Sequence, residues 1–281
     1  GWLGAFDAAW RDPGRGVLRR EGRFDLVLDL SPVPLIGAHQ KPHGYFAPGH
    51  DQAAISGAIT QLVEMIGDFE KPKYFRYKER LCAHSRNRKV GCTSCIDICS
   101  AKAIESAGDR IQVNPYLCAG CGACTTVCPS GALAYAYPGA PYTGERLRGM
   151  LATYHNEGGL DPVILFYGEG QGTALMAALD GDSAAGPGLH GLPTRAIPMQ
   201  LHHMAATGID VWLSAIAYGA AGISVLVTDA DAPQYAAALA EQMDIAQTIL
   251  TGLGYAGTHF QLVRASTTAQ LDEALLAVPC G

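Results

Sequence analysis

Cysteine is missing from most of this chain. Of its nine cysteines in 281 residues, eight fall between Cys82 and Cys128, and none follows until Cys280. That distribution excludes a disulfide framework spread through the fold and leaves residues 129–279 without a thiolate ligand. Cys280 reads as a spare thiol. Charge is also scarce, at 16% of residues with a formal net charge of −6, and an acidic balance argues against a protein built to hold nucleic acid. No nucleophile-and-base arrangement, paired-carboxylate motif or flavin fingerprint can be picked out. The first residue is Gly1 and not methionine, so the chain reads as a fragment or processed form whose targeting signal is out of view. What is plentiful is apolar side chain: 48% of residues are hydrophobic, enough for soluble domains with real cores.

The cysteines are not scattered within their segment. Cys118, Cys121, Cys124 and Cys128, followed by Pro129, give C-x2-C-x2-C-x3-C-P. Three thiolates on one tight turn can reach three corners of a cube, and the small Ala119, Gly120, Gly122 and Ala123 let the backbone pass close to it. Upstream, Cys92, Cys95 and Cys99 repeat the last three positions, and Cys82 can supply the first across a longer loop, with nine residues (83–91) in place of two. Ser100 stands where a second proline would.

These two runs resemble the two-cluster bacterial ferredoxins. The resemblance implies two 4Fe-4S clusters, one held by Cys82, Cys92, Cys95 and Cys128 and the other by Cys118, Cys121, Cys124 and Cys99. Two C-x2-C pairs can also build a structural zinc site, but eight cysteines in two nested copies fit clusters better.

Three segments are expected. Residues 1–70 form a small α+β piece, the end of an upstream domain. Within it a half-buried strand is expected over 24–30, and Asp51 caps a helix carrying Ile55, Ile59, Leu62, Val63, Ile66 and Phe69 at helical spacing. His39, His43 and His50 sit in a Gly/Pro-rich stretch and read as loop histidines, not ligands.

Residues 71–140 form an α+β ferredoxin-like two-cluster domain. A basic island opens it, in which Lys71, Lys73, Arg76, Lys78, Arg80, Arg86, Arg88 and Lys89 face only Glu79, with Tyr74, Phe75 and Tyr77 interleaved. It reads as charge balance for anionic clusters and a docking site for an acidic partner. A helical turn ending at 105, a Gly108-Asp109 turn and a strand over 110–113 separate the two cysteine runs, and a strand over 132–137 follows the second. A linker is expected at 138–144.

Residues 147–281 alternate strands with helices, which implies an α/β domain with a mostly parallel, doubly covered sheet. Strands are expected at 162–167, 195–199, 223–228 and 260–264, and helices at 172–179, 201–218, 232–253 and 267–277. The uncharged run 211–227 approaches the length of a membrane span. It contains Gly219 and Gly222 and is flanked by Asp210 and Asp229, so it reads as a buried helix end, a glycine break and a buried strand. Gly168-Glu-Gly-Gln-Gly172 is not G-x-G-x-x-G, and Glu169 would repel a phosphate. His202 and His203, being adjacent, cannot easily chelate one ion and read as an interface pair.

Pro-Val-Ile-Leu-Phe-Tyr from 162, Ala-Ile-Pro-Met from 196, Ala-Ile-Ala-Tyr-Gly-Ala-Ala-Gly-Ile-Ser-Val-Leu-Val from 215 and Leu-Gly-Tyr from 253 resemble the delta subunit of methyl-viologen-reducing hydrogenase. That family has cysteines at its strand ends and acts as an electron-transfer adaptor. Here Gly168, Met199 and Thr228 stand at those ends, so the resemblance implies a docking domain without its own redox centre. Function is then expected to be single-electron relay for a larger oxidoreductase complex, such as a formate dehydrogenase or hydrogenase, in the cytoplasm. The alternatives are a flavin- or nucleotide-binding oxidoreductase using the strand ends, and a structural metal-binding scaffold.

Overall fold

The structure, a computed structural model, describes residues 1–11, 19–67, 70–86, 89–180 and 189–279; Cys280, Phe69 and Arg88 lie outside them. In chain order the first elements are β1 (Phe6–Arg11), β2 (Arg19–Phe24), β3 (Val27–Leu28), β4 (Tyr45–Phe46) and α1 (Gln52–Glu64). There follow β5 (Phe75–Tyr77), β6 (Ser85–Arg86), β7 (Lys89–Val90), α2 (Ser94–Ile98), β8 (Ile104–Ala107), β9 (Arg110–Val113), α3 (Ala123–Thr126) and β10 (Leu133–Tyr135). The rest comprises α4 (Ala140–Asn156), β11 (Val163–Gly168), α5 (Gln171–Asp180), β12 (Ala196–Leu201), α6 (Ile209–Ala217), β13 (Gly222–Val227), α7 (Pro233–Gly252), β14 (Phe260–Arg264) and α8 (Thr268–Leu275). Contacts group the chain into two units, Gly1–Pro72 with Cys99–Ala119, and Lys73–Ile98 with Gly120–Gly281. This grouping cuts through the segment 71–140.

In the first unit β1 and β2 form an antiparallel hairpin with Phe6 opposite Phe24, and β3 pairs with β4 in parallel. The strand expected over 24–30 is therefore broken. A bend at Asp25, whose carbonyl accepts from Gly4 N at 2.9 Å, separates β2 from β3, and Asp29 ends β3: its buried carboxylate accepts from Ser31 N at 2.9 Å, from Leu35 N at 2.7 Å and from the Tyr45 hydroxyl, folding the chain into a turn. Bonds from Ser31 and then Tyr45 and Leu35 hold this carboxyl well below the usual carboxylate range. Asp51 caps α1 through Ala53 N at 2.9 Å. The ordinary packing expected of that helix is not found, since Ala58 is its buried residue while Ile59, Val63 and Ile66 are exposed. Residues 104–105, expected in a helical turn, belong to β8, which turns through Gly108-Asp109 into β9.

In the second unit β11, β12, β13 and β14 form a parallel sheet in the order β12-β11-β13-β14. Side chains alternate across β11: Ile164 and Phe166 join a core with Leu147 and Leu151 of α4, Trp212 of α6 and Leu239 of α7. Val163 and Leu165 join the opposite core with Leu175 of α5 and Leu271 of α8. Every residue of β13 is buried, as a strand covered on both faces requires. The run 211–227 divides as its glycines predict, into the end of α6, Gly219 at a φ of 102° and β13. Among the described residues no helix is long and apolar enough to cross a membrane.

Two expectations fail here. The expected linker at 138–144 instead opens α4, because Pro141 sits in the first turn, where its missing N–H costs no bond. Thr143, Leu147 and Leu151 then recur at four-residue spacing as the buried stripe. The long helix expected over 201–218 is replaced by the end of β12, a 3-10 turn at Met204–Ala206 and the shorter α6.

That 3-10 turn seats the short cysteine-bearing helix α3. Thr126 Oγ1 donates to Ala205 O at 2.7 Å and to Thr207 O at 3.0 Å. Gly122, at φ 78°, lies so close that a Cβ there would come within 2.5 Å of Ala206 Cα. Ile98, Ala123, Cys121, Cys124 and Val127 all pack with the α/β core.

Leu151→Ala should destabilise the second unit by about 3 kcal/mol in chemical denaturation, while Leu253→Ala, at a 70% exposed site, should change it by less than about 0.5 kcal/mol. Gly122→Ala adds both left-handed strain and a backbone clash, for a loss of about 3 kcal/mol in the same assay.

Candidate metal centre

Cys82, Cys92, Cys95 and Cys128 come from four different local structures, yet all belong to the second unit. Cys82 follows a short 3-10 turn, Glu79–Leu81, whose Glu79 O accepts from Cys82 N at 2.9 Å. Within the nine-residue spacer after it β6 and β7 pair antiparallel, Gly91 N donates to His84 O at 2.6 Å, and Cys92 N donates to Ala83 O at 3.0 Å. The insertion thus leaves and returns at one point. It brings Cys92 beside Cys82 as a two-residue spacer would. His84 is buried, with its Nδ1 at 2.8 Å from Cys92 O.

Cys95 lies in α2, and Cys128 follows α3, which packs against α2. Antiparallel pairing of β10 with β5, Leu133 opposite Tyr77, draws the segment after Cys128 toward the one before Cys82. Leu133 N donates to Cys128 Sγ at 3.4 Å.

The electrostatics report the convergence. Burial pushes the Cys95 thiol up to about 12, and the neighbouring thiols of Cys128, Cys82 and Cys92 push in the same direction. A buried thiol with three others near it belongs to a donor set suited to a core that is itself cationic, which would take the place of the protons. Among the described residues no three His, Cys, Asp or Glu are gathered as a group for one metal ion.

The other four cysteines are divided between the units: Cys99 and Cys118 in the first, Cys121 and Cys124 in the second. Within the first, Ala103 N donates to Cys99 Sγ at 3.3 Å, and Asn114 O accepts from Cys118 N at 3.1 Å. Burial lowers the Lys71 ammonium, while the Cys118 thiolate acts in the opposite direction; its Nζ donates to Tyr116 O at 2.8 Å. Within the second, Gly120 and Gly122 take positive φ, and the Tyr74 ring lies where a Gly120 side chain would go. Cys121 Sγ lies 3.4 Å from the Tyr235 hydroxyl.

At the C-terminal ends of the sheet the strand order reverses between β11 and β13, the place where open sheets of this kind hold ligands. Here the chain's own turn occupies it. Met204 and Ala205 are each 1% exposed, and a Cβ on Gly168 would come within 3.2 Å of Met204 N. A cavity of about 440 Å³ opens nearby, but Asp229 and Glu273 line it with Arg264, a mixed set that gives a phosphate no preference.

His202 and His203 part company as adjacent residues should: His202 stacks on Tyr74 and meets Glu169 at 3.1 Å, whereas His203 faces Asp231 and Tyr235. Burial first and then Lys71 lower the pKa of His43. Tyr235 escapes sequence reasoning, because nothing in a helix's first turn marks contact with a cysteine more than a hundred residues away.

Residues 90–132 match the family model described as a 4Fe-4S dicluster domain. A stretch of 39 residues, 14% of this chain, is 46% identical to hydrogenase-4 component A of Escherichia coli strain K12 and covers 19% of that protein. Another of 40 residues, also 14% of the chain, is 38% identical to the ferredoxin 7Fe of Hydrogenibacillus schlegelii and covers 51% of it. The chain thus spans a fifth and a half, roughly, of these two curated relatives. No solved structure matches it. The match and the cysteine spacing agree that residues 90–132 are a 4Fe-4S dicluster domain of ferredoxin type.

Proposed function

We propose that this chain is an electron-transfer component that relays single electrons through two 4Fe-4S clusters to or from a larger redox enzyme. The observation that carries the reading is geometric: Cys92 N bonds to Ala83 O, α2 with Cys95 packs on α3, and β10 pairs with β5, which brings Cys82, Cys92 and Cys128 near enough to act on the Cys95 thiol; the ferredoxin pattern assigns these four residues to one cluster across a spacer of unusual length. The same pattern assigns Cys118, Cys121, Cys124 and Cys99 to the other. When bound, each cluster supplies a centre that accepts and releases one electron without a proton of its own.

The chain's residues have separate tasks. The cysteines hold, and Leu133 N and Ala103 N direct N–H groups at Cys128 and Cys99 sulfur, which favours the more negative, reduced state. Lys73, Arg76, Lys78 and Arg80 are exposed on and around β5, immediately before Cys82. In a chain of net charge −6 they form a local positive face beside the first cluster, suited to an acidic redox partner. The α/β part, with its resemblance to a hydrogenase delta subunit, serves as docking surface. A hydrogenase or formate dehydrogenase complex fits as partner, and the printed name of one relative, hydrogenase-4 component A, supports the first. Reduced thiols needed for cluster assembly favour a cytoplasmic setting.

Protein purified without oxygen should carry about eight irons and eight acid-labile sulfides per chain and give interacting EPR signals on reduction; Cys82→Ala should lower both counts to about four. Zinc without sulfide would overturn the proposal. Oxidation of the reduced protein by anionic ferricyanide should slow about tenfold between low salt and roughly 0.5 M, and replacing Lys73, Arg76, Lys78 and Arg80 with Gln should abolish that dependence. A rate indifferent to salt would remove the docking face.

A further inference from the structure

We infer that Tyr235, at the start of a helix of the α/β part, sets the reduction potential of the cluster ligated by Cys121 through a hydrogen bond from its hydroxyl to the cysteine sulfur. The inference rests on the electron-transfer reading above and deepens it.

The contact spans 114 residues of sequence. Cys121 Sγ and Tyr235 Oη are 3.4 Å apart, and Tyr235 is 1% exposed. With the thiol protonated, the sulfur donates to the hydroxyl. A ligating sulfur has lost that proton, so the direction must reverse and the hydroxyl becomes the donor. A buried O–H needs an acceptor, and a thiolate carrying part of a cluster's negative charge is a good one.

Both ends of this contact are held in place. On the sulfur side, α3 is fixed to the 3-10 turn by Thr126 Oγ1, which donates to Ala205 O and Thr207 O, and by the close approach of Gly122 to Ala206. On the hydroxyl side, Tyr235 meets the His203 ring edge to face, with centroids 5.5 Å apart at 81°. His203 is itself oriented. Its Nδ1 accepts from Ala205 N at 3.1 Å, which leaves the proton of the neutral ring on Nε2, 3.6 Å from Asp231 Oδ1. Asp231 Oδ2 accepts in turn from Thr228 N at 2.8 Å and from Thr228 Oγ1 at 2.9 Å, at the end of β13. Tyr235 thus reaches the sulfur from a support anchored in the sheet.

The consequence follows from charge. Reduction adds one electron from the donor to the cluster; no bond is made or broken, and the hydroxyl keeps its proton. The O–H dipole stabilises the more negative reduced state more than the oxidised one, so the bond raises the potential. The α/β part, which has no cysteine of its own described, thereby acts on a redox centre as a tuning element.

The test uses the full chain, reconstituted with iron and sulfide and titrated with dithionite and viologen mediators while EPR follows each cluster. In Tyr235→Phe one cluster should become harder to reduce by about tenfold in its equilibrium, which is 59 mV for a one-electron couple, with the other unmoved and both still loaded. Replacing Tyr235 with a ring-fluorinated tyrosine keeps the shape and strengthens the O–H donor, and should shift the same cluster in the opposite direction. Full iron content with unchanged potentials in both variants overturns the inference and leaves the electron-transfer reading standing. Should the Phe variant lose its iron, an unmoved potential in the fluorinated protein overturns the inference by itself. Wild-type protein that takes up no iron and sulfide overturns the reading beneath it.

Discussion

Burying a thiol beside other thiols opposes its ionisation, and the second unit is arranged so that Cys95 is buried with Cys82, Cys92 and Cys128 near it all the same. Cys95 feels this most: it is buried, and three other thiols face it. In the reading proposed here, the positive charge of an iron–sulfur core resolves the conflict, because ligation removes the protons that burial would otherwise retain. The energy of ligation then becomes part of the energy of folding for this region. The elements around the site, the β6–β7 pair, the β5–β10 pair and the packed α2 and α3, fix four points in space more than they enclose a core. Short strands and one-turn helices suffice for that purpose when a metal centre supplies the cross-links.

The α/β sheet makes the complementary arrangement. Its strand order opens a crevice at the C-terminal ends of β11 and β13, which in other open sheets is left for a cofactor. In this chain Met204 and Ala205 fill it, and α3 with Cys121 and Cys124 rests on that same turn. The cysteine-bearing helix therefore stands close to where a ligand would stand. The position at the strand ends is taken by the chain's own polypeptide. A domain without ligating cysteines can still take part in redox chemistry, through groups such as Tyr235 that reach back to a cysteine held in that seat.

Much of this was legible in the sequence, for reasons that can be stated. The strands of the sheet were, because β13 and β11 are short, almost wholly apolar runs with a glycine at one end, and the two cysteine runs were, because ligand spacing on a tight turn is a local property. The cap at Asp51 was read from a single residue, and its side chain accepts the expected backbone N–H. What failed depended on distance. Pro138, Gly139, Pro141 and Gly144 signal a loop by composition, whereas a proline in the first turn followed by Leu147 and Leu151 on one face makes a helix once a sheet is there to receive it. The turn at Asp29, which ends β3, depends on Tyr45 and Leu35, which no local pattern connects to it. In α1 the apolar residues have helical spacing, yet Ile59 and Val63 remain exposed, so periodicity gave the element without its full burial.

Burial also separates two kinds of cation that composition had merged into one island. Lys71 is half-buried, its ammonium bonded to Tyr116 O and in the field of Cys118, and desolvation weakens its charge while that thiolate sustains it. A cation in that position acts at short range and is little screened by salt. Lys73, Arg76, Lys78 and Arg80 stand in water, where each contributes little to stability but their sum still sets the field met by an approaching protein. The first arrangement adjusts the charge next to a ligand; the second chooses what comes near it. An electron carrier needs both, since the potential decides whether the electron moves, and the surface decides to which neighbour.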